Sequence, residues 1–358
     1  MKDFYRNLLQ LINAGQPVAW ATMIRSRGST PQKPGSSAVL DHHAILEGTV
    51  GGGIMEADVV NLTRPLLKTR ESKLIRFNLD GSPEDEGAIC GGEAEVLIDA
   101  NPANHMGVLE ALEDSLSQKN RGSLVTLVSR PEDEVRNVER FWIKEGDSLP
   151  SGTRLSENIL QLIKEYTDHG AGADWWIRDI PESMDPEFEL IFAERIRPLP
   201  QLIIAGAGHI GKALAHLGSL LDFEVTVIDD RPEYANKNQL PDADHIVVKD
   251  IREAMEELHP GPDDYCVLVT RGHQHDEEAL KPLIGSDAAY IGMIGSRHKV
   301  GVMKHEFIRK GWATPDQWEQ IYAPIGLPIG SKTIQEIAFS IAGQLVQVRQ
   351  QNNQRYGR

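Results

Sequence analysis

Cysteine is nearly missing from this 358-residue chain, which holds only Cys90 and Cys266. Two thiols so far apart in a chain without a secretory leader read as free thiols, not as a disulfide. No Cys-x-x-Cys and no His-x-x-x-His pair occurs, which argues against a closed zinc site. There is no run of about 18 apolar residues, so no membrane-spanning helix is expected. The opening residues, MKDFYRNLLQLINAG, place Phe4, Leu8 and Ile12 on one stripe of an amphipathic helix. They lack the unbroken apolar core and small-residue cleavage site of a signal peptide, so a cytoplasmic protein is expected. A basic excess is lacking too. The 53 acidic residues against 37 Lys and Arg give a formal charge of −16, which argues against nucleic acid as the main partner. With 40% hydrophobic and 25% charged residues, the composition is that of an ordinary globular protein.

The length suits two domains with room for a third element. Two prolines in RPLPQ, residues 197–201, mark the clearest seam. The division expected is 1–105, a mixed α/β continuation over 106–198, and 199–358. After the seam, apolar runs at 202–206, 224–230, 243–250, 264–272 and 288–296 alternate with helical patterns. That alternation predicts an α/β fold, a Rossmann-like doubly wound parallel sheet with helices on both faces. The last helix carries Ile334, Ile337, Ile341, Leu345 and Val348 on one face, with Thr333 and Glu336 spaced as a capping box. Before the seam, helices at 3–14, 54–67, 107–118 and 158–166 mix irregularly with strands, giving an N-terminal mixed α/β domain.

The run LIIAGAGHIG, residues 202–211, carries Gly206, Gly208 and Gly211 between a strand and a helix. Gly206 can turn sharply, Gly208 admits a phosphate to the backbone, and Gly211 lets helix and strand pack closely. The helix start supplies free amides and the positive end of a dipole. Asp229 and Asp230 end the next strand, about 20 residues on, where a carboxylate meets a ribose hydroxyl. This context favours nucleotide or dinucleotide binding over a purely structural glycine turn. His209 reads either as a solvent-facing helix start or as a donor near a phosphate.

Two further strands end in Thr270-Arg271-Gly272-His273 and in Gly295-Ser296-Arg297. Arg271 and Arg297 could clamp an anion, and His273 could move a proton; the alternative is that these are solvated loop residues. No convincing His/Asp or Tyr/Lys pair appears before residue 200 to complete a dehydrogenase.

The N-terminal third holds three compact motifs: RSRGSTPQKPGS (25–36), EGTVGGGIMEAD (47–58) and GAICGGEAEVLID (87–99). Gly51, Gly52 and Gly53 precede a helix with Glu56 in its first turn, and Cys90, Gly91 and Gly92 precede a strand. Consecutive glycines can form an anion nest of amides or simply a tight turn. Cys90 could serve a soft metal or sulfur, or be an inert thiol.

These three motifs, with IIAGAGHIGKALA, VTVIDDRPEYAN, VLVTRGHQHDEEAL, YIGMIGSRHKV and APIGLPIGSKTIQEIAFSI, resemble the XdhC/CoxI family of accessory proteins for molybdenum hydroxylases such as xanthine dehydrogenase. The resemblance covers most of the chain. It implies a protein that binds the molybdenum cofactor, as molybdopterin or its dinucleotide form. It implies help with the cofactor's sulfuration alongside a cysteine desulfurase, delivery to the apo-hydroxylase, and a homodimer. The glycine loop would then be a phosphate cradle without hydride transfer, and the protein more a cofactor-binding chaperone than a catalyst. One departure stands out: Ile54 occupies a place where many family members carry cysteine. Either Cys90 suffices, or amides and arginines hold the ligand, or this branch acts differently. Two other functions stay open: an NAD(P)-dependent oxidoreductase or dehydrogenase-associated component, and a nucleotide-sensing regulator.

Overall fold

Ala19 and Ala21 face one apolar cluster while Trp20 and Ile24 face others, so strand β1 (Ala19–Arg27) is covered on both sides. The computed structural model describes residues 3–80, 89–131, 136–147, 155–169 and 174–355. It divides into two units, Asp3–Pro198 and Leu199–Arg358.

The first unit begins with α1 (Phe4–Asn13), β1, β2 (Ser37–Leu40), β3 (Ile45–Gly48) and α2 (Gly53–Thr69). It continues through β4 (Lys73–Asp80), β5 (Ile89–Asp99) and α3 (Met106–Ser117). It ends with β6 (Gly122–Ser129), β7 (Val138–Lys144), α4 (Glu157–His169), β8 (Trp175–Asp179) and β9 (Phe188–Ile196). Two antiparallel sheets result, ordered β3-β2-β1-β5-β4 and β7-β6-β9-β8. Val59, Leu66 and Leu67 of α2 cover one face of the first sheet, and Ile159, Leu162 and Ile163 of α4 cover one face of the second. The remaining faces meet through Ile24 and Leu97 against Val128, Leu190 and Phe192. Strands covered on both faces read as continuous apolar runs, which is why this antiparallel half lacks clean alternation in its sequence.

A charged cluster is buried between these sheets. Arg140 of β7 donates to Asp99 of β5 and stacks 3.8 Å from the ring centroid of Trp20. His105 Nε2 lies 3.3 Å from Asp99 Oδ2, and Ser72 donates to Asp99 Oδ1 at 3.2 Å. Burial opposes the Asp99 charge, yet Arg140 and His105 hold its carboxyl well below the usual range. Burial has the opposite outcome at Glu194 of β9, where it pushes the carboxyl up to about 8 despite Arg140.

The second unit contains β10 (Gln201–Ala205), α5 (His209–Leu220), β11 (Glu224–Asp229), β12 (His245–Val248) and α6 (Ile251–Glu257). Then come β13 (Asp264–Leu268), α7 (Gly272–Leu280), β14 (Tyr290–Met293), α8 (Arg297–Arg309), α9 (Pro315–Glu319) and α10 (Ile334–Arg355). The strands are parallel in the order β12-β11-β10-β13-β14. One face packs on α5 and α10, the other on α6, α7, α8 and α9. This is the doubly wound sheet the alternation predicts. Beyond it, Met293 N donates to Tyr322 O at 3.0 Å and Ile325 N to Met293 O at 3.0 Å, so residues 322–325 run as a further parallel edge. Thr333 and Glu336 cap α10 reciprocally: Glu336 Oε2 accepts the Thr333 amide at 2.9 Å and Thr333 Oγ1 accepts that of Glu336 at 3.2 Å. Among the described residues no helix is long and apolar enough to cross a membrane.

Candidate functional site

β10 is the central strand, and the chain crosses over on either side of it, so its carboxyl end is the switch point where such sheets open a crevice. The three loop glycines stand there for different reasons. Gly206 has φ +115°, and a Cβ on it would lie 2.6 Å from Val269 O. A Cβ on Gly211 would lie 1.9 Å from Gly206 O. Both glycines are therefore demanded by the fold. Gly208 is different: its φ of −69° suits any residue, and a Cβ there meets no protein atom within 4 Å. Among the described residues nothing requires that glycine.

The two aspartates at the end of β11 have separate tasks. Asp229 is buried and faces inward; its Oδ2 accepts the Ala207 amide at 2.7 Å, inside the glycine loop. Arg231 closes on the same carboxylate with Nε at 2.8 Å and Nη2 at 2.8 Å. Burial works against this charge, but the Arg231 and Ala207 hydrogen bonds outweigh it and hold the Asp229 carboxyl below its ordinary range. Asp230 is half-exposed and lies 3.6 Å from Arg271 Nη2. Sequence alone offers both as ribose contacts; the structure commits Asp229 to the loop and leaves Asp230 the more exposed carboxylate of the two.

Gly206, Gly208, Asp230 and Arg271 line one crevice, with Asp229 and Arg231 at its wall. Thr270 and His275, from the same run after β13, line it as well. Other candidates sit around it. His209 is exposed at the first position of α5, and Gly272 and Arg297 are exposed at the starts of α7 and α8. Gly295 lies between β14 and α8, where a Cβ would come 3.4 Å from Lys299 Cδ. The side chain of His273 lies outside the described residues. Cys266 of β13 is fully buried, and burial pushes its thiol up to about 12.

In the first unit, the three N-terminal motifs converge. A Cβ on Gly92 would sit 2.4 Å from Ser29 O, and one on Gly51 would sit 3.0 Å from Pro31 Cγ. The glycine turn at 51–53 faces a carboxylate of its own chain. Glu56 Oε1 accepts from Thr49 Oγ1 at 2.5 Å and from the Val50 amide at 3.2 Å. Burial disfavours the Glu56 charge, but Thr49 and the amides of Gly52, Val50 and Gly51 lower its carboxyl below the ordinary range. The amide nest read from the sequence therefore holds Glu56. Ile54 is half-exposed beside it. Cys90 and Gly91 belong to β5, but their surroundings, the Cys90 side chain included, lie outside the described residues. Near this convergence Arg25, Arg27 and Arg76 line a cleft with Glu93 and Glu95; Arg76 Nε lies 2.6 Å from Glu95 Oε1. Among the described residues, no group of three or more His, Cys, Asp and Glu side chains is placed to hold a metal.

Comparison with known proteins matches both units. The XdhC Rossmann domain matches residues 202–345, and the XdhC and CoxI family matches residues 11–78. The chain belongs to the XdhC and CoxI family. It is 26% identical over 361 residues, 98% of each chain, to a Bacillus subtilis protein named as a probable xanthine dehydrogenase subunit. A 33% identical stretch of 151 residues, 42% of this chain and 27% of the other, matches the uncharacterized protein YqeB of Escherichia coli. In fold it is similar to the crystal structure described as a xanthine dehydrogenase from Bacillus halodurans, with TM-score 0.78 and 24% identity over 98% of this chain and 96% of that one. For this XdhC-family chain, the Rossmann match spans the whole crevice from Gly206 to His275 and runs into α10 as far as residue 345.

Proposed function

We propose that this protein is an accessory factor for a xanthine dehydrogenase-type molybdenum hydroxylase, holding the molybdenum cofactor before it enters the apo-enzyme. Gly208 carries this reading. The fold does not need a glycine there, whereas an anion resting on the first amides of α5 does, because a side chain would stand where the anion sits. The molybdenum cofactor, as molybdopterin or its dinucleotide form, offers such an anion in its phosphate or pyrophosphate. Bound, it would supply a dithiolene-held metal for a client to use. This chain's residues would do the holding: the amides at 208–211 on the phosphate, Asp230 on a ribose hydroxyl of a dinucleotide tail, and Arg271 at the crevice wall. Asp229 keeps the loop in shape. The names borne by the full-length relatives point to a hydroxylase as the client, and a cysteine desulfurase is the partner that would sulfurate the cofactor while it is held. The protein acts in this reading as a cytoplasmic homodimer.

The test is mass spectrometry and metal analysis of what the purified protein retains, beside activation of apo-hydroxylase in vitro. Wild type should carry a pterin or pterin dinucleotide and raise client activity. Gly208→Val should fold normally and do neither. Retention of the same ligand by Gly208→Val would remove the loop from the function. Turnover of NADH with purines or small carbonyl compounds would instead favour an oxidoreductase.

A further inference from the structure

Asp230 and Arg231 after β11 and Thr270, Arg271 and His275 after β13 line the one crevice of the second unit. Behind Thr270, past β13, lies a charged pair that the proposed function leaves unused. Asp276 of α7 is fully buried. Thr270, which lines the crevice, donates to its Oδ1, and Lys299 Nζ donates to its Oδ2. Lys299 is held from three directions. Its amide bonds Ser296 Oγ at 3.2 Å in the first turn of α8, its stem lies over Gly295, and its ammonium is fixed by Asp276. The side chain keeps 26% of its exposure.

An ammonium has three N–H donors, and a carboxylate beside it holds it in one place. We infer that Lys299 is a ligand-binding residue: it donates to an oxygen acceptor, a ring carbonyl or carboxamide, on the second half of a dinucleotide whose pyrophosphate rests on the glycine loop. Asp276 and Thr270 are its positioning residues. This inference rests on the crevice being a nucleotide site.

Calorimetric titration with ADP and with NAD⁺ tests it on the full-length protein. ADP reaches only Asp230 and the loop, whereas NAD⁺ adds a second half bearing a carboxamide. Wild type should bind NAD⁺ more tightly than ADP. Because Lys299→Met alone strands a buried carboxylate, the main variant is Lys299→Met with Asp276→Asn, its folding checked by thermal unfolding. That variant should keep its ADP affinity and lose the NAD⁺ advantage, about tenfold or more. Equal loss of both ligands, or loss of neither, overturns the role of Lys299, as does wild type binding NAD⁺ no better than ADP. Wild type that binds neither nucleotide overturns the nucleotide crevice itself, a result separate from the other two.

Discussion

Asp229 Oδ2 accepts the backbone amide of Ala207 at 2.7 Å, so the end of one strand grips the glycine loop that follows its neighbour. The grip is braced by Arg231, whose guanidinium meets both oxygens of the same carboxylate and lies 4.0 Å over the ring of Tyr234. A carboxylate bound on both oxygens in this way fixes the shape of the loop beside it.

Replacing it should therefore harm stability as well as binding. Asp229→Asn turns a charge-assisted acceptor into a weaker one and strips Arg231 of its counter-charge. We expect a loss of about 1–3 kcal/mol in chemical denaturation together with weaker nucleotide binding. Asp230→Asn should leave the denaturation midpoint unchanged and weaken only ligands that carry a ribose. Identical behaviour of the two variants would contradict the division of labour.

The glycines should separate in the same way. Gly211→Ala drives a Cβ against Gly206 O, and Gly206→Ala combines a left-handed backbone with a clash at Val269 O. Each should destabilise the second unit by about 1–3 kcal/mol. Gly208→Ala should unfold like wild type, because its Cβ has room, and lose ligand. Thermal unfolding of the three variants side by side decides this.

Between the two sheets of the first unit, Arg140→Met takes the guanidinium from the buried Asp99 and leaves it Ser72, the Asn101 amide and His105, whose own pKa is lowered mainly by burial. A loss of about 3–5 kcal/mol is expected in urea unfolding. Adding Asp99→Asn should restore much of it. If the double variant is as unstable as the single, stacking on Trp20 and not charge pairing is what Arg140 supplies.

Glu194 makes stability depend on pH in a defined direction. Its folded pKa of about 8 lies above the ordinary carboxyl value, so the folded state holds a proton that the unfolded state has released. The stabilisation is complete at low pH and drains away as pH rises to about 8, with a slope of at most about 1.4 kcal/mol per unit. Asp99 works the other way, contributing above the ordinary carboxyl range and losing its contribution as the solution becomes acidic. Glu194→Gln should remove the alkaline decline and raise the melting temperature at pH 8 relative to wild type. An unchanged pH profile would mean that Glu194 is charged throughout.

The second unit is legible in the sequence because its signals are local. Every strand but β11 is followed within a few residues by its helix, and the glycine loop marks the switch point directly. The first unit hides its architecture because its pairing is not local: β1 pairs with both β2 and β5, and β6 with both β7 and β9. Nothing in the residues of β1 names β5 as its neighbour. At the site, Asp229 and Asp230 look equal in sequence; only the direction of each side chain from the strand end assigns one to the loop and one to the crevice. Lys299 and Asp276 are silent in the sequence because they lie on different helices with nothing between them to announce the contact. Glu56 is legible as a first-turn acid, but not as the occupant of the glycine turn before it.

The burial of Cys266 has a practical corollary. A thiol that burial pushes up to about 12 and seals from solvent is silent toward alkylating reagents and oxidants while the chain stays folded. Any label, persulfide or adduct detected on native protein therefore reports Cys90 alone, and a second equivalent marks the moment the parallel sheet comes apart.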